Sequence, residues 1–260
     1  MKWEELTSKQ FHEVVTRNPV CVLTFGVLEK HGDHLPLGTD FLNVHRLAVL
    51  ASEKEEVLVF PPFYFGQILE ARCFPGTIAI KSSLLMELVQ SLLDEMGRNG
   101  IKKIILVNGH GGNNAFLTFL AQSQLDKERD YQLYLYQPGS EARTKLYQSV
   151  RTTKWHGHAC ECETSISLAN HPHLIHMNEI SDGEVTPLMR LSHIPNLFTG
   201  LSWYANYPHH YVGNAKAATS KKGKTLQDFD VEELATFIKN VKEDITLPIL
   251  TQAFFKETTH

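Results

Sequence analysis

Cysteine is scarce in this chain, at 4 of 260 residues. Cys21, Cys73, Cys160 and Cys162 follow neither zinc-finger nor C-x-x-C spacing, so no disulfide framework is expected and the thiols should be free. Long apolar runs are missing as well: no segment approaches the roughly 18 consecutive apolar residues of a membrane-spanning helix. The start, Met1-Lys2-Trp3-Glu4-Glu5, lacks the apolar stretch of a signal peptide, and a cytoplasmic location is expected. Positive charge is not in excess. Lys and Arg number 25 against 29 Asp and Glu, a net charge of −4, which offers no basic footprint for nucleic acid or an anionic membrane. What is abundant is histidine, with 14 residues. Imidazole in surplus without a cysteine framework directs attention to metal sites or acid–base chemistry. Apolar residues at 42% and charged residues at 21% are ordinary for a globular chain, and the length suits one compact α/β domain spanning 1–260.

Hydrophobic patterning predicts alternating strands and helices. Leu6 to Arg17 is mixed in polarity and stops at Asn18-Pro19, as a helix does. Val20 to Phe25 is a short, nearly continuous apolar run, which suits a strand buried on both faces. A loop rich in Gly, His and Pro follows from Gly26 to Thr39. Asp40 to Glu55 then has helical spacing, with Thr39 or Asp40 as its cap. Val57 to Phe60 predicts a second strand, Ser82 to Arg98 a helix with a broad apolar face, and Ile101 to Val107 a third strand. Asn113 to Leu125 predicts a helix, Leu133 to Tyr136 a fourth strand, and Val231 to Val241 a helix that closes the chain. The stretch 171–228 reads as irregular surface loops. Strand–helix alternation implies βαβ units, a parallel sheet and helices on both faces.

In open α/β sheets ligands bind beyond the carboxyl ends of strands, and three polar clusters draw attention there. The first, Gly26-Val27-Leu28-Glu29-Lys30-His31-Gly32-Asp33-His34-Leu35-Pro36-Leu37-Gly38-Thr39-Asp40, follows strand one. Glu29 and His31 are two residues apart, so on extended backbone both project to one side and can face one cation. Asp40, at the helix start, is placed to bridge a second. The next cluster, Asn108-Gly109-His110-Gly111-Gly112-Asn113-Asn114, follows strand three, and its glycines let backbone N–H groups approach a ligand. A phosphate-binding G-x-G-x-x-G loop is a poor fit to this order of glycines. The third is His156-Gly157-His158-Ala159-Cys160-Glu161-Cys162-Glu163-Thr164-Ser165, ahead of an apolar segment with helical character.

Each cluster also has a plainer account. Asp40 alone is as well explained as a helix cap, His110 as a hydrogen-bonded loop residue and Glu161 as a solvated charge. Cys160 and Cys162 read as small buried residues before they read as a soft-metal site. His156 reads as pocket-lining. His171, His173, His176, His209 and His210 read as surface or loop residues. The joint pattern, three clusters of His and acid, is what a single residue cannot explain.

Taken together the three segments resemble the creatininase (creatinine amidohydrolase) family. The first is similar to its E-x-H-G-x-H-L-P-L-x-T-D signature, the second to N-G-H-G-G-N and the third to H-A-G-x-x-E-T-S. Phe74-Pro75-Gly76-Thr77-Ile78 resembles F-P-G-T, and Gly213 to Gly223 resembles the late G-x-x-x-x-A-T-x-x-x-G stretch. The resemblance runs from about residue 20 to 225. It implies a three-layer α/β/α sandwich with a mostly parallel central sheet, a homohexamer, and a pair of divalent ions per chain (zinc, manganese or iron). The implied reaction is hydrolysis of a non-peptide C–N bond in a small cyclic or linear amide. Carried over by motif, Glu29 and His110 hold one ion, His31 the other, and Asp40 bridges them. Glu163 of E-T-S completes the set in place of a carboxylate that some members carry where this chain has Gly111-Gly112; Glu161 is its rival. His158 is the candidate acid–base residue, with Gly111, Gly112, Trp155, Ile68 and Ala71 in contact with substrate. Cys160 replaces the Gly of H-A-G. In Gly66-Gln67-Ile68-Leu69-Glu70-Ala71, Ile68 and Ala71 stand where relatives carry Ser and His, so the identity of the substrate, creatinine included, does not follow from the resemblance. Alternatives are a non-catalytic metal- or ligand-binding member, a deformylase or peptidase acting on a cofactor precursor, and a two-metal phosphoesterase. The last would need a phosphate clamp that only Lys30 and Arg72 could supply.

Overall fold

A computed structural model describes residues 1–258. Its centre is a four-stranded, fully parallel sheet in the order β2-β1-β3-β4, formed by β1 (Val20–Phe25), β2 (Leu58–Val59), β3 (Lys103–Asn108) and β4 (Gln132–Tyr136). Every residue of β1 is buried. Its side chains alternate between two cores, as a pleated strand requires. Cys21, Leu23 and Phe25 pack with Ile104, Leu106, Leu85, Val89 and Leu93, whereas Val20 and Val22 pack with Ile105, Val107, Val44, Ala48, Leu234 and Ile238. Helices α1 (Ser8–Arg17), α3 (Ser82–Arg98) and α4 (Asn114–Ser123) thus cover one face of the sheet, and α2 (Thr39–Lys54) and α8 (Ser220–Glu243) the other. Each fully buried Leu or Phe in these two cores contributes about 1.5–3 kcal/mol. The three-layer α/β/α sandwich follows from a strand that is apolar on both sides. The four cysteines are free.

Several predicted elements need correction. The helix expected at Val231–Val241 is the inner part of α8, which begins at Ser220, and α9 (Thr246–Glu257) follows it. Residues 220–228, expected as part of an irregular loop stretch, are the first turns of α8. In the fold Thr219 caps the helix by accepting from the Lys222 N–H (3.2 Å), and Gly223 is buried. Helices α5 (Glu141–Val150), α6 (Glu161–Asn170) and the short α7 (Ser202–Asn206) complete the chain order. The N-cap of α2 is Gly38, and neither Thr39 nor Asp40 caps it: the Thr39 hydroxyl donates to the Pro36 carbonyl at 2.7 Å. Of the stretch 171–228 expected as irregular surface loops, Ser202–Asn206 form α7 and the residues from Ser220 belong to α8; the rest is largely irregular, yet it carries a buried group around Ile180, Tyr211, Val212 and Ala215.

Gly223 shows how α6 and α8 approach. A Cβ there would overlap the Ser165 carbonyl of α6. Alanine is the better helix former by about 1 kcal/mol, but the backbone contact outweighs that gain. Gly223→Ala should destabilise the protein by about 1–3 kcal/mol, read as a lower thermal midpoint. An unchanged or raised midpoint would show that the two helices have room to separate.

Candidate metal centre

The strands position the first two clusters directly. β1 ends at Phe25, and its loop turns back so that the Glu29 N–H donates to the Leu37 carbonyl (3.0 Å). This brings Glu29, His31 and Asp40, in the first turn of α2, to one point. β3 ends at Asn108, whose side chain braces the next turn: its Nδ2 donates to the His110 carbonyl (2.7 Å) and its Oδ1 accepts from the His110 N–H (3.1 Å). Gly109 lies against the Asp40 carbonyl and Val44, where a side chain would not fit. The third cluster arrives differently from expectation. It is not at a strand end but at the N-terminus of α6, after a loop in which Ala159 has φ +52°.

The side chains converge in a buried array. His31 Nε2 lies 3.0 Å from Asp40 Oδ1, 3.8 Å from Glu29 Oε1 and 3.7 Å from Glu163 Oε1. His110 Nδ1 lies 2.8 Å from Glu29 Oε1 and 3.1 Å from Asp40 Oδ2. Glu29, His31 and Asp40 form one set of donors within 4.8 Å of one another, and His31, His158 and Glu163 another. Glu29 Oε1 and Asp40 Oδ2 are buried without a hydrogen bond, a costly condition for a carboxylate unless a cation takes the place of the donor.

The outer hydrogen bonds define which ring nitrogens face inward. His110 Nε2 lies 3.0 Å from the Gln67 carbonyl and His31 Nδ1 lies 3.2 Å from the Glu29 carbonyl. A carbonyl only accepts, so those nitrogens carry the protons. Nδ1 of His110 and Nε2 of His31 are then left as lone pairs aimed at carboxylate oxygens. Lone pair against carboxylate is repulsive unless a proton or a cation sits between them. The protonation balance says the same. Burial alone would lower the pKa of both histidines, yet the carboxylates hold His110 well above the usual imidazole range and push His31 up to about 10. Burial would raise Glu29, but the imidazoles of His110 and His158 hold it well below the carboxylate range. Glu163 is pushed up to about 7 by burial, partly opposed by His31. Protons here do what divalent ions would do, and an O/N donor set of this kind suits zinc, manganese or iron.

His158 is buried beside His31, with ring centres 4.2 Å apart, and its Nε2 donates to the Lys30 carbonyl at 2.8 Å. Burial first, and His31 second, hold its pKa well below the usual range, so it is neutral with Nδ1 free to accept a proton. Gly111 and Gly112 start a short 3-10 turn after His110; Gly111 is open, and Gly112 abuts the His110 ring. A cavity of about 510 Å³ borders Asp40, Gly109 and Glu163, and His156 lines it as expected. Gly111 lines a neighbouring hollow with Asn108 and His110. Ile68, Ala71 and Trp155 line neither. Ile68 and Ala71 are buried against Val27, and Trp155 has its backbone N–H on Glu184 (3.0 Å). Apolar side chains on that turn bury inward, while the Gln67 carbonyl faces His110.

Two further expectations change. Glu161 is not solvated. Its carboxylate is fully buried, accepts from the N–H and hydroxyl groups of Thr152 and Thr153, and pairs with Lys222 at 2.5 Å. It is therefore engaged away from the array that Glu163 faces. His210 is not a surface residue but is 2% exposed, with Nε2 at 2.5 Å from Glu29 Oε2. Its position 181 residues from Glu29 leaves no local signal in the sequence. His34 is buried too, with Nε2 at 2.9 Å from the Thr164 hydroxyl, and burial lowers it to about 4.

Comparison with known proteins places the chain among relatives of one family. The creatininase family model, described as creatinine amidohydrolase, matches residues 4–238. A 3-dehydro-scyllo-inosose hydrolase of Thermotoga maritima is 26% identical, over 94% of this chain and 83% of its own. A mycofactocin precursor peptide peptidase of Mycolicibacterium smegmatis is 29% identical (92% and 90%), and a creatinine amidohydrolase of Pseudomonas putida 24% identical (90% and 95%). Among solved structures, creatinine amidohydrolase (creatininase) superposes with TM-score 0.78 at 22% identity over 94% of this chain and 98% of that one. A creatininase described as Mn superposes with TM-score 0.76 at the same identity, over 94% and 99%. Fold, motif positions and the span of the family match lead to one conclusion: this chain belongs to the creatininase family of hydrolases.

Proposed function

We propose that this protein is a metal-dependent amidohydrolase that opens a non-peptide C–N bond in a small cyclic or linear amide. The observation that carries the reading is the pair of buried, unbonded oxygens, Glu29 Oε1 and Asp40 Oδ2, set against inward imidazole lone pairs. Glu29 and His110 would hold one divalent ion and His31 and Glu163 a second, with Asp40 shared between them. When bound, such a pair supplies Lewis acidity and a water acidic enough to ionise near neutral pH.

The chain's own groups account for the remaining tasks. His158 Nδ1 is unprotonated at neutral pH, and the Lys30 carbonyl fixes its tautomer, so it can take a proton from the attacking water and return it to the leaving nitrogen. The backbone N–H groups of Gly111 and Gly112, beside His110, are candidates to stabilise the developing oxyanion. Asp40 and Glu163 at the wall of the cavity put the array within reach of a small ligand. The likeness to the M. smegmatis peptidase supports a second reading within this chemistry, a deformylase or peptidase acting on a cofactor precursor. We read the chain as a single domain and as a cytoplasmic protein. No helix among the described residues is long and apolar enough to cross a membrane. The exposed apolar side chains of Leu188, Met189, Phe198 and Leu201 support self-association, and the family resemblance points to a homohexamer.

The test is a screen of cyclic amides, formamides and short peptides with zinc-, manganese- and iron-loaded protein, repeated with His158→Ala. Turnover should need metal and fall by about 10²–10⁴-fold in the variant, while bound metal stays unchanged. Full activity in the variant would remove His158 from the reaction. Metal binding without turnover of any class would favour a non-catalytic ligand-binding member.

A further inference from the structure

His210 lies outside every motif that marks the site, yet it is bound into it. Its Nε2 is 2.5 Å from Glu29 Oε2, its Nδ1 is 2.8 Å from Trp203 Nε1, and its ring packs on His158 at 4.5 Å. With Glu29 and His158 it forms a third set of donors within 4.8 Å of one another, which invites reading it as a ligand. The hydrogen bonds exclude that. An indole N–H can only donate, so His210 Nδ1 carries the lone pair and Nε2 carries the proton. A protonated nitrogen facing a carboxylate is a donor, not a metal ligand.

We propose that His210 is a positioning residue for Glu29, with its tautomer set by Trp203, and that it fixes Oε2 so that Oε1 is presented to the metal. The inference rests on the metal-centre reading of Glu29. Two observations beyond the contact itself support it. Glu29 is fully buried, and no other donor to its Oε2 is present among the described residues. His210 also holds φ +54°, a conformation unfavourable to a side chain, which a protein retains where the surroundings demand it. Carboxylate ligands braced in this way bind more tightly because the ligand is not reoriented when the ion enters.

The positive φ supplies a test that separates positioning from packing. Glycine takes that conformation without strain, so His210→Gly removes the donor without a backbone penalty. His210→Gln, which restores an N–H at similar reach, serves as the rescue. Zn²⁺ affinity of the full chain is measured by competition with a chromophoric chelator, alongside the melting temperature of the metal-free protein. We expect one ion to bind about 10–100-fold more weakly in H210G, the other to be unchanged, H210Q to recover most of the loss, and W203F to fall between. Two ions held with wild-type affinity in H210G would overturn the proposal while leaving the metal centre intact. Equal weakening of both ions with a lower metal-free melting temperature would reduce His210 to a packing residue. Wild-type protein that takes up no Zn²⁺ would overturn the metal centre, and this proposal with it.

Discussion

Asp40→Ala should strip the protein of most of its metal. Asp40 places a separate oxygen on each inward imidazole: Oδ1 at 3.0 Å from His31 and Oδ2 at 3.1 Å from His110. Removing it takes a buried negative charge and both contacts from the site. Loss of groups that merely orient a ligand costs about 10–100-fold in metal affinity, so loss of this shared carboxylate should exceed about 100-fold. Asp40→Asn should fail nearly as badly, since an amide offers one oxygen where the carboxylate offers two and turns N–H groups toward one of the histidines. Metal content by elemental analysis and affinity by chelator competition check this, with circular dichroism to show that the fold persists. Full occupancy in Asp40→Ala would defeat the shared-ligand assignment.

Lys222→Met should produce the largest loss of stability of any change outside the two apolar cores. Glu161 is completely buried, and Lys222, at 2.5 Å, is its one cationic partner among the described residues. Removing one member of a buried pair leaves an uncompensated charge and costs about 3–5 kcal/mol. The Thr152 and Thr153 donors remain and moderate the effect, so about 3 kcal/mol is expected, a fall of roughly 6–12 °C in thermal midpoint. Adding Glu161→Gln to Lys222→Met should recover part of it, because the orphaned charge is then gone. The pH dependence has a definite sign. Burial acts to raise the Glu161 pKa, but Lys222 and the threonines bring it down to about 2, below the ordinary 4.5. A carboxyl with a depressed folded pKa contributes stability that is fully present above its unfolded value and lost as pH falls. That contribution should fade between about pH 4.5 and 2, and Glu161→Gln should flatten the acid limb of a denaturation curve. An acid limb identical in wild type and Glu161→Gln would show that Glu161 is not the group responsible.

Much of the architecture is legible in residue order. Val20 to Phe25 is apolar nearly throughout, and a central parallel strand is the element that needs a run apolar on both faces; the two cores divide its side chains accordingly. Asp40 reads equally well as a helix cap, and only the fold separates the accounts, because Gly38 takes the cap position and leaves the Asp40 side chain to the site. Glu161 and Glu163, two residues apart on α6, cannot be told apart by type. Helix rotation decides between them, since one turns to Lys222 on α8 and the other to His31.

By itself the sequence determined the alternation of strands and helices, the motifs carrying Glu29, His31, Asp40, His110, His158 and Glu163, and through them the family. These are local properties: side-chain periodicity, loop glycines and short spacings are set by neighbours along the chain. Only the tertiary structure decided that the α6 terminus, rather than a strand end, delivers Glu163, that α8 starts at Ser220, and that His210 meets Glu29 from 181 residues away. Those outcomes depend on which surfaces meet once the layers close, and on buried charges finding partners wherever the fold supplies them.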